Sequence, residues 1–172
     1  MIRLGRRPAA VLVALAAFVP LLGACSDDPA TTASEARDVQ PLDTPGVPAE
    51  LDGLAVQRED IAQQLQGADR PYLAQAALFS LRQDDVLEAT LQIGRFADDV
   101  EIDDDFRDVI ITAIGAGTAR KVRVGGHDVY LSAGDRQQLA FWFADRDLYV
   151  LSSRDDYTGA RHLLRTTLEV HP

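Results

Sequence analysis

Between Lys121 and Ser152 the chain is cut into four short apolar-rich stretches by closely spaced turn signals, and that spacing fits an antiparallel sheet. Lys121–Val124 stops at Gly125-Gly126, Asp128–Ser132 at Ala133-Gly134-Asp135, and Gln138–Ala144 at Asp145-Arg146-Asp147, before Leu148–Ser152 completes a meander. Connections this tight join antiparallel neighbours, because a parallel pair needs a crossover of a dozen or more residues. Upstream, Ala76–Arg82 and Val86–Phe96 read as a hairpin around Gln83-Asp84-Asp85. In its second strand Leu87, Ala89, Leu91 and Ile93 point one way and Glu88, Thr90 and Gln92 the other, the period of a half-buried strand.

Helical periodicity fills the gaps. Phe106, Val109, Ile110, Ala113 and Ile114 form one apolar stripe behind Asp103-Asp104-Asp105, where negative charge suits a helix start, and Gly115 and Gly117 end it. Asp155 or Asp156 is expected to cap a last helix with the stripe Tyr157, Ala160, Leu163, Leu164 and Leu168. A shorter helix is expected over Arg58–Gln66, with Ile61 and Leu65 four apart and Gly67 as its stop. The order α-ββ-α-ββββ-α predicts an α+β fold: an antiparallel sheet of about six strands with two main amphipathic helices on one face.

The N-terminus carries a different message. Arg3, Arg6 and Arg7 precede an apolar run from Pro8 to Leu22, the pattern of an export signal, and the run is shorter than the about 20 residues of a spanning helix. It ends in Leu22-Gly23-Ala24-Cys25, and Cys25 is the only cysteine. These four residues resemble the lipobox of bacterial lipoproteins. The resemblance implies cleavage between Ala24 and Cys25 and attachment of diacylglycerol and a further acyl chain such as palmitate at Cys25. The product would sit lipid-anchored on the extracytoplasmic face of the cell membrane. One acyl chain binds a bilayer marginally, whereas two or more hold firmly.

With that cysteine consumed no disulfide is available, so core packing must hold the domain. The expected organisation is a signal peptide over 1–24, a lipidated Cys with a disordered tether over 25–53, and an extracytoplasmic α+β domain over 54–172. The tether is expected because Pro29, Pro41, Pro45 and Pro48 stand among Asp, Ser and Thr with few large apolar residues.

From Val122 to Val170 the chain resembles the C-terminal part of uncharacterised domains found in bacterial lipoproteins and in the outer parts of anti-sigma factors. The likeness is carried by Leu139-Ala140-Phe141-Trp142-Phe143, by Leu148-Tyr149-Val150-Leu151 and by a terminal helix. It implies a noncatalytic extracytoplasmic module and brings no site residues with it.

Charge narrows the partners. The formal net charge is −10, which argues against nucleic acid and against an anionic lipid surface as the attraction. Lys121 is the sole lysine among the basic residues, an arginine bias that a GC-rich genome explains.

The acidic run from Asp98 to Asp108 has oxygen ligands for calcium, but an EF-hand loop counted from Asp99 fails at Asp104 and Ile110. His127, His162 and His171 have no ligand spacing, and no serine lies in a nucleophile motif. No catalytic residue, metal or cofactor is therefore expected. Phe141 and Phe143 face one side of their strand and Trp142 the other, and Tyr130 and Tyr149 are candidates to join Trp142 in an apolar ligand face. The expected function is a noncatalytic binding or adaptor module of the cell envelope, its partner an envelope protein or small apolar ligand. The alternative is a carrier of a hydrophobic ligand or lipid on the face around Trp142.

Overall fold

Turn chemistry builds the sheet. The computed structural model of the chain describes residues 38–43, 46–61, 72–134 and 136–171. In order these form β1 Gln40–Pro41, β2 Glu50–Leu51, β3 Leu54–Arg58, β4 Leu73–Gln83, β5 Val86–Phe96, α1 Asp104–Ile114, β6 Arg120–Val124, β7 His127–Gly134, β8 Gln137–Ala144, β9 Asp147–Arg154 and α2 Ala160–Val170. The β4–β5 turn is Asp84-Asp85, both left-handed (φ 48° and 65°), as a two-residue hairpin with the twist of its strands requires. Gly125 and Gly126 do the same between β6 and β7 (φ 59° and 93°).

The described strands make one nine-stranded sheet in the order β2-β3-β4-β5-β9-β8-β7-β6, with β1 off this path beside β4. β1 runs parallel to the start of β4, Gln40 facing Gln75, while β3 pairs with its later part, Arg58 facing Phe79. These two short strands therefore share one edge of β4 end to end.

The sheet is covered on both faces. Leu81, Leu91, Trp142, Tyr149 and Leu151 pack with Leu163, Leu164 and Leu168 of α2. On the other side Leu78, Phe96, Phe141 and Val150 pack with Phe106, Ile110 and Ile114 of α1. Phe106 meets Phe96 edge-on at 5.1 Å between ring centres. Topology explains the division. β5 lies mid-sheet and β6 at the far edge, so the segment holding α1 crosses one face, and α2, leaving β9, takes the other.

Local devices fix the helices. Asp103 caps α1, its Oδ1 accepting from the Phe106 N–H at 2.8 Å. Gly115 ends that helix where a Cβ would lie 2.4 Å from Ala119 Cβ, so the tight reversal into β6 needs glycine. His162 of α2 meets Asp52, in the β2–β3 turn, at 2.6 Å. Arg146, between β8 and β9, donates to the carbonyls of Phe96, Ala97 and Val100, pinning the loop that leaves β5.

Several expectations are corrected. The α+β class holds, but the sheet has nine strands where about six were expected, and the helices lie on opposite faces. Residues 38–43 and 46–53, expected within a disordered tether, supply β1 and β2 and bury Val39, Leu42 and Leu51. Arg58 ends a strand instead of opening a helix, and 62–66 of that expected helix lie outside the described residues. Asp155 and Asp156 stand in a turn before α2, whose N-cap is Gly159 with no side-chain bond.

Candidate functional site

Small side chains leave a hollow in the described surface. Across the sheet Arg120 pairs with Leu131, Leu131 with Ala140, and Ala140 with Leu151, a row on the α2 face. Ala140 is too short to fill the space beneath the helix, and Ala160 at the helix start is equally small. The result is a groove of about 890 Å3 between α2 and β6–β8, floored by Leu131, Ala140 and Leu151 and walled by Leu164. That volume is in the range of small-molecule sites.

Charge gathers at its rim. Arg161 and Arg165 line it from α2, Arg120 and Arg123 from β6, with Asp155 the one described acid among the lining residues. Arg161 and Arg165 are four residues apart, hence neighbours on one helix face. All four arginines are exposed. Arg123 donates through Nε to the Gly126 carbonyl at 3.2 Å, whereas the side chains of Arg120, Arg161 and Arg165 form no hydrogen bond or ion pair with a described residue. Arg123 also lines the hollow on the opposite face, because it alternates with Arg120 along β6, so Arg120, Arg161 and Arg165 supply the positive charge on the α2 side of a chain of net charge −10.

A second hollow, about 730 Å3, lies on the α1 face between that helix and β6–β7. Its charges are of both signs and largely answer one another: Lys121 meets Asp128 at 2.8 Å and Arg107 approaches Asp104 at 4.0 Å. The Lys121 ammonium holds the Asp128 carboxyl below its usual range. This hollow offers no surplus charge to a ligand.

The expected apolar ligand face is only partly assembled. Trp142 and Tyr149 stack at 5.2 Å, nearly parallel, but Trp142 is 1% exposed beneath α2 and its N–H donates to the His171 carbonyl at 3.2 Å. Tyr130 lies on the opposite face, stacked on Phe141 at 5.5 Å. The face around Trp142 is thus filled core, and Tyr130 does not share it. Ala24 and Cys25, the expected cleavage and lipidation positions, lie outside the described residues.

Ser132 Oγ sits 2.9 Å from Thr118 Oγ1 and 3.2 Å from the Gly115 carbonyl, so it tethers the α1–β6 loop. His127 stands five residues away along β7, about 17 Å at strand rise. Among the described residues no three His, Cys, Asp or Glu side chains group as a metal site would need. The acidic run contributes the α1 cap at Asp103 and an ion pair between Asp98 and Arg146 at 3.7 Å.

The rim arginines Arg120, Arg161 and Arg165 were not legible as a site. The available signal was the i, i+4 pair Arg161 and Arg165, but nothing local in the sequence brings β6 opposite them.

His171 closes the α2 side, its ring stacked at 5.6 Å on Tyr149 and its Nε2 buried without a partner. Burial lowers its pKa below the ordinary 6.5. The unfolded chain then binds this proton more readily than the folded one, so stability present above about pH 6.5 is lost as pH falls through that window. Trp142, the only tryptophan, reports the change. Its emission is expected to shift to the red as pH falls below about 6.5 and the C-terminal end loosens, and His171→Phe to abolish the shift. An identical shift in that variant would assign the effect elsewhere.

Compared with family models, curated proteins and solved structures, the chain matches none.

Proposed function

We propose that this chain is a lipid-anchored, noncatalytic binding module of the cell envelope, tethered through Cys25 on the extracytoplasmic side of the membrane. Its working surface is the arginine-rimmed groove between α2 and β6–β8. The observation that carries the reading is the rim: Arg120, Arg161 and Arg165, whose side chains have no described partner, beside a mostly apolar floor in an acidic protein. A solvated surface charge needs no such convergence. Anionic groups take bidentate hydrogen bonds from guanidinium, which makes arginine the fitting residue for a carboxylate, phosphate or sulfonate. The anchor rests on Leu22-Gly23-Ala24-Cys25 and the basic, apolar segment before it. No described helix is long and apolar enough to cross a membrane.

Two measurements test the reading. In cells fed an alkyne-bearing palmitate, the chain is expected to take up label and fractionate with membranes, and Cys25→Ser to lose both. For the groove, anilinonaphthalene sulfonate (fused apolar rings carrying a sulfonate) is expected to brighten on the full chain bearing Cys25→Ser. The double variant Arg161→Glu/Arg165→Glu is expected to weaken that binding about tenfold or more, in line with lost charge-assisted hydrogen bonds. Unlabelled protein that still sediments after Cys25→Ser would overturn the anchor, and dye binding indifferent to the arginines would overturn the groove.

A further inference from the structure

Resting on that reading of the groove, we propose that its ligand is an amphiphile with one long acyl-type chain and an anionic head. The chain lies along the sheet floor, and the head is held at the rim, by Arg161 and Arg165 first.

The floor decides against a peptide. β7 is paired with β6 and β8, and β8 with β7 and β9, so the backbone groups beneath the groove are already used within the sheet. What remains to a ligand is mainly Leu131, Ala140, Leu151 and the flank of Leu164, with the side chains of Gln138 and Ser153 at one end of the floor. An extended peptide pressed onto that floor would leave its own N–H and C=O groups unpaired, at roughly 2–7 kcal/mol each. An acyl chain has none to satisfy and gains about 0.8 kcal/mol for each methylene it buries. A strand added to the outer edge of β6 would find backbone partners, but it would lie beside the groove and leave the floor uncovered.

The head follows from the rim. Arg161 and Arg165 are exposed, one helical turn apart and without described partners, so both can turn to one anionic group. Arg120 faces them from β6, equally without a described partner. Carboxylate and phosphate share the recognition chemistry, and a fatty acid and a lysophospholipid are its two sources.

The test uses the full chain in its own membranes and three acyl probes with a diazirine in the chain: a fatty acid, a lysophosphatidate and the methyl ester of the fatty acid. After illumination, adducts are mapped by peptide mass spectrometry. Adducts on β7, β8 and α2 are expected from one or both anionic probes, about tenfold or more above the ester. They should fall by a similar factor in Arg161→Glu/Arg165→Glu, whose exposed positions leave the melting temperature unchanged. The acid and phosphate arms separate the two sources, and either supports the proposal. Equal labelling by the ester, or adducts confined to other elements, would overturn it. No groove adducts together with arginine-dependent binding of the sulfonate dye would sink the acyl ligand while sparing the binding module. A polyglutamate peptide that displaces the dye and protects β6 amides from exchange would also overturn it, in favour of an acidic peptide at the edge.

Discussion

Trp142→Ala is expected to destabilise the fold by about 3–5 kcal/mol, the range for removing a large aromatic side chain from a closed core. The indole is 1% exposed and stacks on Tyr149 at 5.2 Å. Its N–H also holds the His171 carbonyl at 3.2 Å, tying the end of α2 to the sheet. Truncation therefore opens a cavity and frees the C-terminus together. Trp142→Phe keeps most of the volume and loses the donor, so it should cost about 1–2 kcal/mol. Urea denaturation followed by circular dichroism measures both. The two variants also separate core from ligand face: a side chain reserved for a ligand would leave stability within about 0.5 kcal/mol of the parent when removed. A loss that small in Trp142→Ala would contradict the closed core.

How far the sequence could carry the fold is clearest where local chemistry decided the outcome. Gly125-Gly126, Asp84-Asp85 and the Asp103 cap are short-range devices, and each stands where its residues place it. Helix facing is different. An apolar stripe says that Phe106 and Ile110 turn towards the sheet, not to which side of it, and the long step from β5 to the far edge decides that. Tyr130 shows how little separates two readings. Pairing Ser132 with Gln138 across a turn at Ala133-Gly134-Asp135 would set Tyr130 on the side of Trp142. The sheet instead pairs Ser132 with Leu139 and Tyr130 with Phe141, and one residue of register turns every side chain to the other face. The groove was illegible for the same reason. Arg120 and Arg161 are far apart in sequence, and only the sheet order and the crossing of α2 bring them to one rim.

A chain beginning at Leu54 is expected not to fold, whereas one beginning at Asp38 is expected to unfold cooperatively with the stability of the full chain. The composition before Leu54 reads as a tether because two-residue strands carry no periodicity. Their few apolar residues nevertheless go inside: Val39 is 6% exposed, Leu42 1% and Leu51 2%. At about 1.5–3 kcal/mol for each buried aliphatic side chain, deleting the three removes about 4.5–9 kcal/mol, an upper value because unfolded chains already bury some surface. Whole domains are stable by only about 5–15 kcal/mol.

Polar losses add to this. The Ala76 carbonyl loses the Leu42 N–H at 2.7 Å, the Arg58 guanidinium loses the Leu42 carbonyl at 2.6 Å, and His162 loses Asp52 at 2.6 Å. The edge of β4 beside Gln75 and Ala76 would also be laid bare, a row of unpaired backbone groups open to association with other chains. Circular dichroism and size-exclusion chromatography of the two chains decide the matter. Matching urea midpoints for both would mean that β1 and β2 only rest against a domain complete without them.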